Sequence, residues 1–204
     1  MGVCLGSGMS GLEEAVNNWE QLRLRGYRRV SPHFIPRLLG NMAAGWVAQE
    51  WGLRGPNLSP ATACASGAHA IGEGLRLIQR GEAKAMLVGA TEAALTPLGM
   101  AGFIQARALA KDFNERPEMA SRPFDRARQG FVMAEGAACM VLERAEEAAA
   151  RGCPPLAECV GFGQSGDAHH PTASHPEGLG ARLAMERALR DAQIATTQVG
   201  YLNA

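Results

Sequence analysis

The stretch Leu58-Ser59-Pro60-Ala61-Thr62-Ala63-Cys64-Ala65-Ser66-Gly67-Ala68-His69 decides the fold. Residues 58–63 form a short, mainly apolar, strand-like run. Residues 65–80 read as a helix with Ala70, Ile71, Gly74, Leu75 and Ile78 on one face and Gly81 as its stop. Cys64 therefore stands at a strand-to-helix joint built of small residues, and a tight turn of that kind exposes the side chain at its tip. Unsatisfied amides at the helix start, together with the positive end of its dipole, favour thiolate over thiol. The same amides offer an oxyanion hole for acyl transfer. A structural cysteine in a tight turn fits the position alone equally well, because such junctions are common in α/β proteins.

Working outward, residues 85–90 are a continuous apolar run bounded by glycine, the pattern of a strand covered on both faces. Residues 2–6 read as a strand delivering the chain to a glycine turn at Ser7-Gly8, after which Ser10 caps a helix carrying Leu12, Val16, Trp19 and Leu22. Helical composition returns over 38–51 until Gly52 and Gly55-Pro56 break it. Alternating strand, helix and strand predict an α/β protein with a parallel sheet and crossovers. Further strands are expected at 137–142 and 156–162, helices at 143–151 and 177–193, and the start of a strand at 199–204. An ending inside an apolar strand is the mark of a truncated chain. The strand-helix-strand stretches 58–90 and 137–204 are compatible with two related halves.

Composition narrows the function. Twenty basic and twenty acidic residues cancel, so no overall field attracts nucleic acid or an anionic membrane. No apolar run reaches membrane-spanning length, and residues 1–6 are too short and uncharged for a signal peptide. Hydrophobic residues make up 47% and aromatics 5%, with 25 glycines, which suits close packing of helices on a sheet. The five cysteines, at 4, 64, 139, 153 and 159, are odd in number and form no CxxC pair. That argues against a disulfide framework or zinc site and points to a reducing compartment. Cys4, Cys139 and Cys159 sit in apolar runs, where buried, inert thiols are expected.

An ordered series of motifs carries a more specific message. It comprises Asn41-Met42-Ala43-Ala44-Gly45, Leu53-Arg54-Gly55-Pro56-Asn57, Thr62-Ala63-Cys64-Ala65-Ser66-Gly67-Ala68-His69 and Gly89-Ala90-Thr91-Glu92. It continues with Thr96-Pro97-Leu98-Gly99, Ala106-Arg107-Ala108-Leu109, Ser121-Arg122-Pro123-Phe124-Asp125 and residues 130–138. In this order the chain resembles the β-ketoacyl-acyl-carrier-protein synthases, closest to the chain-elongating type II enzymes of bacteria and mitochondria. The resemblance implies a thiolase-like layered α-β-α-β-α fold. Residues 1–143 would be an N-terminal half incomplete at its start, and 144–204 the beginning of a C-terminal half. It implies a homodimer in which the cysteine takes an acyl chain from acyl carrier protein; malonyl-carrier protein then loses carbon dioxide, and its carbanion attacks the thioester.

Residue by residue, the resemblance makes Cys64 the nucleophile, with its own amide a candidate oxyanion donor. Phe103 matches a residue lining the acyl pocket, and Met9 falls where an aliphatic side chain gates acyl length. Arg28, Arg29 and Arg107 match basic positions that contact the acidic carrier protein. Ala134 stands where the family commonly has Gly, and Glu135 reads as a buried structural acid. His69, five positions after Cys64, points away from it and suits a hydrogen-bonded role. His169-His170, with Asp167 and His175 nearby, lacks helical ligand spacing, and the resemblance implies neither metal nor cofactor.

The family's strand matching 201–204 runs into a histidine, and a second follows later; both polarise the malonyl thioester. Neither is among these residues, nor are the C-terminal lysine and glycine-rich gate. The expectation is a chain that acylates Cys64 without condensing. Two other readings stand beside it: a non-catalytic fragment that dimerises or binds carrier protein, and a thiolase using coenzyme A. The expected compartment is the mitochondrial matrix, with the bacterial cytoplasm as the alternative.

Overall fold

The computed structural model describes residues 1–203. Strands β1 (Gly2–Gly6), β2 (Asn57–Leu58), β3 (Ala85–Glu92) and β4 (Gly136–Glu143) form one sheet in the order β2-β1-β3-β4. The connections from β1 to β2 and from β2 to β3 are helical, and β1 is parallel to both neighbours. β4 runs antiparallel to β3, from Ala85↔Glu143 to Glu92↔Gly136, so the sheet is mixed and not wholly parallel as expected. The reason lies in the return path: the chain re-enters opposite Glu92, where β3 ended, and pairing back along β3 needs no crossover helix.

Among the described residues seven α-helices accompany the sheet: α1 (Leu12–Arg25), α2 (Phe34–Leu38), α3 (Met42–Glu50), α4 (Ser66–Gln79), α5 (Pro97–Gln105), α6 (Ala145–Ala150) and α7 (Leu179–Ala192). Strand alternation sends side chains to two helical layers. Cys4, Met86 and Val88 pack with Ala70, Leu77 and Ile78 of α4, while Val3, Leu5 and Leu87 pack with Ala44, Val47 and Ala48 of α3. Met86, Val3, Val88 and Cys4 are fully buried, and burial of each large apolar side chain contributes about 1.5–3 kcal/mol.

The opposite side of α4 carries the next layers. A Cβ on Gly72 would lie 2.3 Å from the Phe162 ring, so that aromatic sits directly on the helix backbone. Gly161 and Gly163 face the other way, against Ala184, Ala188 and Ala192 of α7. The Arg76–Asp191 ion pair (2.9 Å) and the bond from Phe162 N–H to Asp191 Oδ2 (2.8 Å) tie the three parts together. Helix α3, the sheet, α4, the 161–163 segment and α7 thus follow one another as α, β, α, β-like and α layers.

Several local expectations change on folding. Residues 156–162, expected as a strand, form none among the described residues, because no neighbouring strand supplies a ladder. The same holds for 199–203, while Ala204 lies outside the described residues. The run at 58–63 contributes only the two-residue β2. The helical stretch at 38–51 divides because Leu39 turns extended and the Gly40 carbonyl accepts from Ser59 Oγ (2.9 Å). α1 starts from Gly11 at φ 65°, not from a Ser10 cap, and its one buried side chain is Asn18, while Trp19 is 61% exposed. Asn18 donates to the Glu14 carbonyl and accepts from Ser31 N–H (2.8 Å), fixing the helix to the following loop.

Candidate active site

The elbow around Cys64 is a single 3-10 turn, Ala63–Ala65, leading into α4. Ala63 has φ 51°, a left-handed conformation that costs a non-glycine residue about 1–2 kcal/mol. The Ser66 hydroxyl holds it there, donating to Ala63 O (2.7 Å) and accepting from Thr62 N–H (2.9 Å). Ser66 is 2% exposed, so this bracket is shielded from competing water. The end of β1 presses against it: a Cβ on Gly6 would meet Ser66 O at 2.5 Å, and only glycine permits that approach.

The thiol at the tip is exposed. Within the turn, Ala65 N–H donates to Thr62 O and Ser66 N–H to Ala63 O, while Cys64 N–H donates to no protein acceptor among the described residues. The exposed thiol and a free amide donor therefore belong to the same residue. Thr62 Oγ1 and His69 Nδ1 are 2.6 Å apart, and the His69 ring meets Phe162 edge-on. His69 is engaged in the hydrogen-bonded role that its spacing implies.

The contrast with Cys4 is physical. Complete burial, followed by the negative charge of Glu73, pushes its thiol up to about 11. Cys139 and Cys159 are exposed, contrary to expectation, since β4 leaves Cys139 uncovered and 156–162 joins no sheet. Among the described residues all five thiols are free.

Beside the elbow, the loop after β1 passes close to Ala63. Gly8 and Met9 each donate their N–H to Glu92 Oε2 at the end of β3. Met9 lines a cleft of about 290 Å³ shared with Ser7, Leu39, Met42, Trp46 and Glu92. A larger, shallow hollow of about 520 Å³ at the far end of α4, around Ile78, Gln79 and Arg144, holds no nucleophile.

The other expected site residues are dispersed. Phe103 on α5 stacks edge-to-face on Phe131 at 5.2 Å. Phe131 is anchored in turn, its N–H to Ala108 O and its carbonyl to Ala110 N–H. Arg28 and Arg29 are exposed in the 3-10 turn Tyr27–Arg29, where the Arg28 guanidinium lies 5.8 Å from the Tyr27 ring centroid. Arg107, exposed just beyond α5, adopts φ 55°. Glu135 is exposed, not buried, and accepts from Leu95 N–H (2.9 Å).

Arg122 anchors the segment around it through Asp125 (2.8 Å) and the Phe113 ring. The Ala127 amide and Arg122 hold the Asp125 carboxyl below its usual range. Asp167 accepts from His175 N–H and Gly180 N–H, so its carboxylate secures the start of α7.

Ser66 and Glu92 hold the elbow and the loop beside it through contacts that sequence reasoning missed. A serine two residues after the cysteine is a local signal for a side-chain bracket. Glu92 carries no such signal, because its partners are 83 and 84 positions away.

An exposed thiol on a strained strand-to-helix elbow, at the carboxyl ends of parallel strands, is an arrangement suited to acyl transfer. Comparison with known proteins makes this specific. The family model for the beta-ketoacyl synthase N-terminal domain matches residues 1–148, and that for the beta-ketoacyl synthase C-terminal domain matches 156–204. The chain belongs to the β-ketoacyl synthase family.

Over its whole length it is 51% identical to 3-oxoacyl-[acyl-carrier-protein] synthase 2 of Vibrio harveyi, covering 49% of that protein. It is 46% identical over 203 residues to the mitochondrial 3-oxoacyl-[acyl-carrier-protein] synthase of Arabidopsis thaliana, covering 44% of it. A type II PKS ketosynthase, solved in complex with its acyl-carrier protein and bound to the hexaketide, superposes with TM-score 0.92 at 30% identity. That match covers 98% of this chain and 50% of the other. The layered fold is therefore the ketosynthase, thiolase-like one. The chain spans about half the length of the curated relatives it matches.

Proposed function

We propose that this chain carries the acyl-accepting step of a 3-oxoacyl-[acyl-carrier-protein] synthase in fatty-acid synthesis. The observation that carries the reading is Cys64 itself: an exposed thiol on a held, strained turn with its own amide unengaged. The Cys64 sulfur attacks the acyl thioester carbonyl, and the Cys64 N–H meets the oxyanion that forms. Collapse of the tetrahedral intermediate expels the carrier's thiolate, which takes up a proton, and leaves the acyl group on Cys64. The cleft beside Met9 receives the acyl chain, and Phe103, which packs on Phe131 outside that lining, is a further proposed acyl contact.

Acyl carrier protein is the proposed partner, met by Arg28, Arg29 and Arg107, whose exposure suits an acidic surface. The names of the relatives support it. A homodimer is proposed on the resemblance, and so is a division into halves at 143/144, which the end of β4 at Glu143 supports. The proposed compartment is the mitochondrial matrix, supported by the mitochondrial relative, with the bacterial cytoplasm as the alternative that the Vibrio relative supports.

Condensation needs donors for a developing enolate as well as a thiolate. The two histidines that serve this in the family are not among these 204 residues. The polypeptide of these residues is expected to form acyl-Cys64 and stop there. Intact-mass measurement with acyl-carrier protein, beside a malonyl condensation assay, tests both parts. Acylation lost in Cys64→Ala supports the reading; an unmodified wild-type Cys64, or condensation by the 204-residue polypeptide, overturns it.

A further inference from the structure

Glu92 ends β3 on the cleft side of the elbow, and its Oε2 accepts from Gly8 N–H (2.9 Å) and Met9 N–H (2.8 Å). The β1–β3 ladder stops at Gly6↔Ala90, so the carboxylate extends the attachment beyond the last paired residue of β1. Two consecutive amides on one carboxylate oxygen are charge-assisted bonds, roughly twice the strength of neutral ones. They fix the successive Ser7–Gly8 and Gly8–Met9 peptide units. A Cβ on Gly8 would stand 2.9 Å from Glu92 Oε2 and 3.4 Å from Ala63 Cα, so the clamp holds this loop against the residue preceding Cys64. Met9 leaves the clamp 37% exposed and lines the 290 Å³ cleft that Glu92 also lines.

Methionine is the most pliable of apolar side chains, and on a mobile backbone it would make a poor wall. On a fixed backbone its reach is limited by its own torsions. We propose that Glu92 is a positioning residue for acyl-length selection: it fixes the Gly8–Met9 backbone and thereby decides how much of the cleft Met9 closes. It touches no reacting atom. This rests on the acyl-accepting reading above and adds to it a determinant of specificity that lies outside the elbow.

The test uses the full 204-residue chain and carrier protein loaded with acyl groups of increasing length, with Cys64 acylation followed by intact mass. Glu92→Ala is expected to flatten the preference between short and long chains by about tenfold, the scale on which one or two methylenes are discriminated in an apolar pocket. Glu92→Gln, whose amide oxygen still accepts both N–H groups, is expected to keep the wild-type profile. On a Met9→Ala background Glu92→Ala is expected to add nothing, since the two act in series.

Hydrogen exchange over residues 6–11 supplies a readout independent of activity: the Gly8 and Met9 amides exchange faster in Glu92→Ala and not in Glu92→Gln. Should Glu92→Ala fail to fold, Glu92→Asp, which withdraws the carboxylate by one methylene, takes its place with the same expectations. A wild-type chain that no thioester acylates overturns the acyl-accepting reading and this proposal with it. Normal acylation with an unaltered length profile in Glu92→Ala overturns the proposal alone, whether or not exchange changes.

Discussion

Removal of the Ser66 hydroxyl measures how much of the elbow is held by a single side chain. Ser66→Ala deletes two hydrogen bonds, to Ala63 O at 2.7 Å and from Thr62 N–H at 2.9 Å, at a residue 2% exposed. At about 0.5–1.5 kcal/mol each, the loss is about 1–3 kcal/mol. It falls on a turn that already contains a residue at φ 51°, a conformation costing about 1–2 kcal/mol. The two figures are of similar size, so the strained turn loses its advantage over a relaxed one.

If the competent fraction falls by the same 1–3 kcal/mol, acylation of Cys64 slows by about 5- to 150-fold, at 1.4 kcal/mol per factor of ten. Urea unfolding followed by circular dichroism reads the stability loss, and an intact-mass time course with acyl-carrier protein reads the rate. A variant that unfolds earlier in urea yet acylates at the wild-type rate would refute the coupling. The bracket would then stabilise the fold without setting the elbow.

Three further outcomes follow from the geometry. The Cys4 thiol is raised from 9.0 to about 11 in the fold, so the unfolded chain loses its proton first as pH rises. Its contribution is present below pH 9 and is lost towards pH 11, by about 2–3 kcal/mol at 1.36 kcal/mol per unit; the difference in urea midpoint between wild type and Cys4→Ala across this range checks it. Gly72→Ala would place a Cβ 2.3 Å from the Phe162 ring; a cost of about 1–3 kcal/mol and faster proteolysis between α6 and α7 are expected, and unchanged cleavage would sink the docking of 161–163. Native alkylation should label Cys64, Cys139, Cys153 and Cys159 and spare Cys4, with mass mapping of the adducts as the check.

The alternation of strand and helix, the glycine stops and the elbow at Cys64 were legible in the sequence because each is a local property. Periodicity over a few residues determines which face is buried, and a small-residue joint between a strand and a helix needs no distant partner to be recognised. Helices α4 and α7 begin and end within two residues of their expected limits for this reason. The ordered motifs went further and indicated the family, which the matches over 1–148 and 156–204 bear out.

Strands depend on more than their own residues. Residues 156–162 carry the apolar composition of a strand but have no ladder partner, and only Phe162 and the glycines beside it are seated between α4 and α7; β4 found a partner and took the antiparallel direction that its return path allows. Exposure is likewise collective: Cys4 and Cys139 lie in similar apolar runs, and only the first is covered from both sides.

An exposed cysteine at a strand-to-helix joint was therefore readable from its own neighbourhood, whereas the groups that hold the joint in place were settled by folding. The Ser66 bracket requires Ala63 to adopt a positive φ. The Glu92 clamp requires β1 and β3 to pair, which brings together residues 83 and 84 positions apart that no local pattern connects.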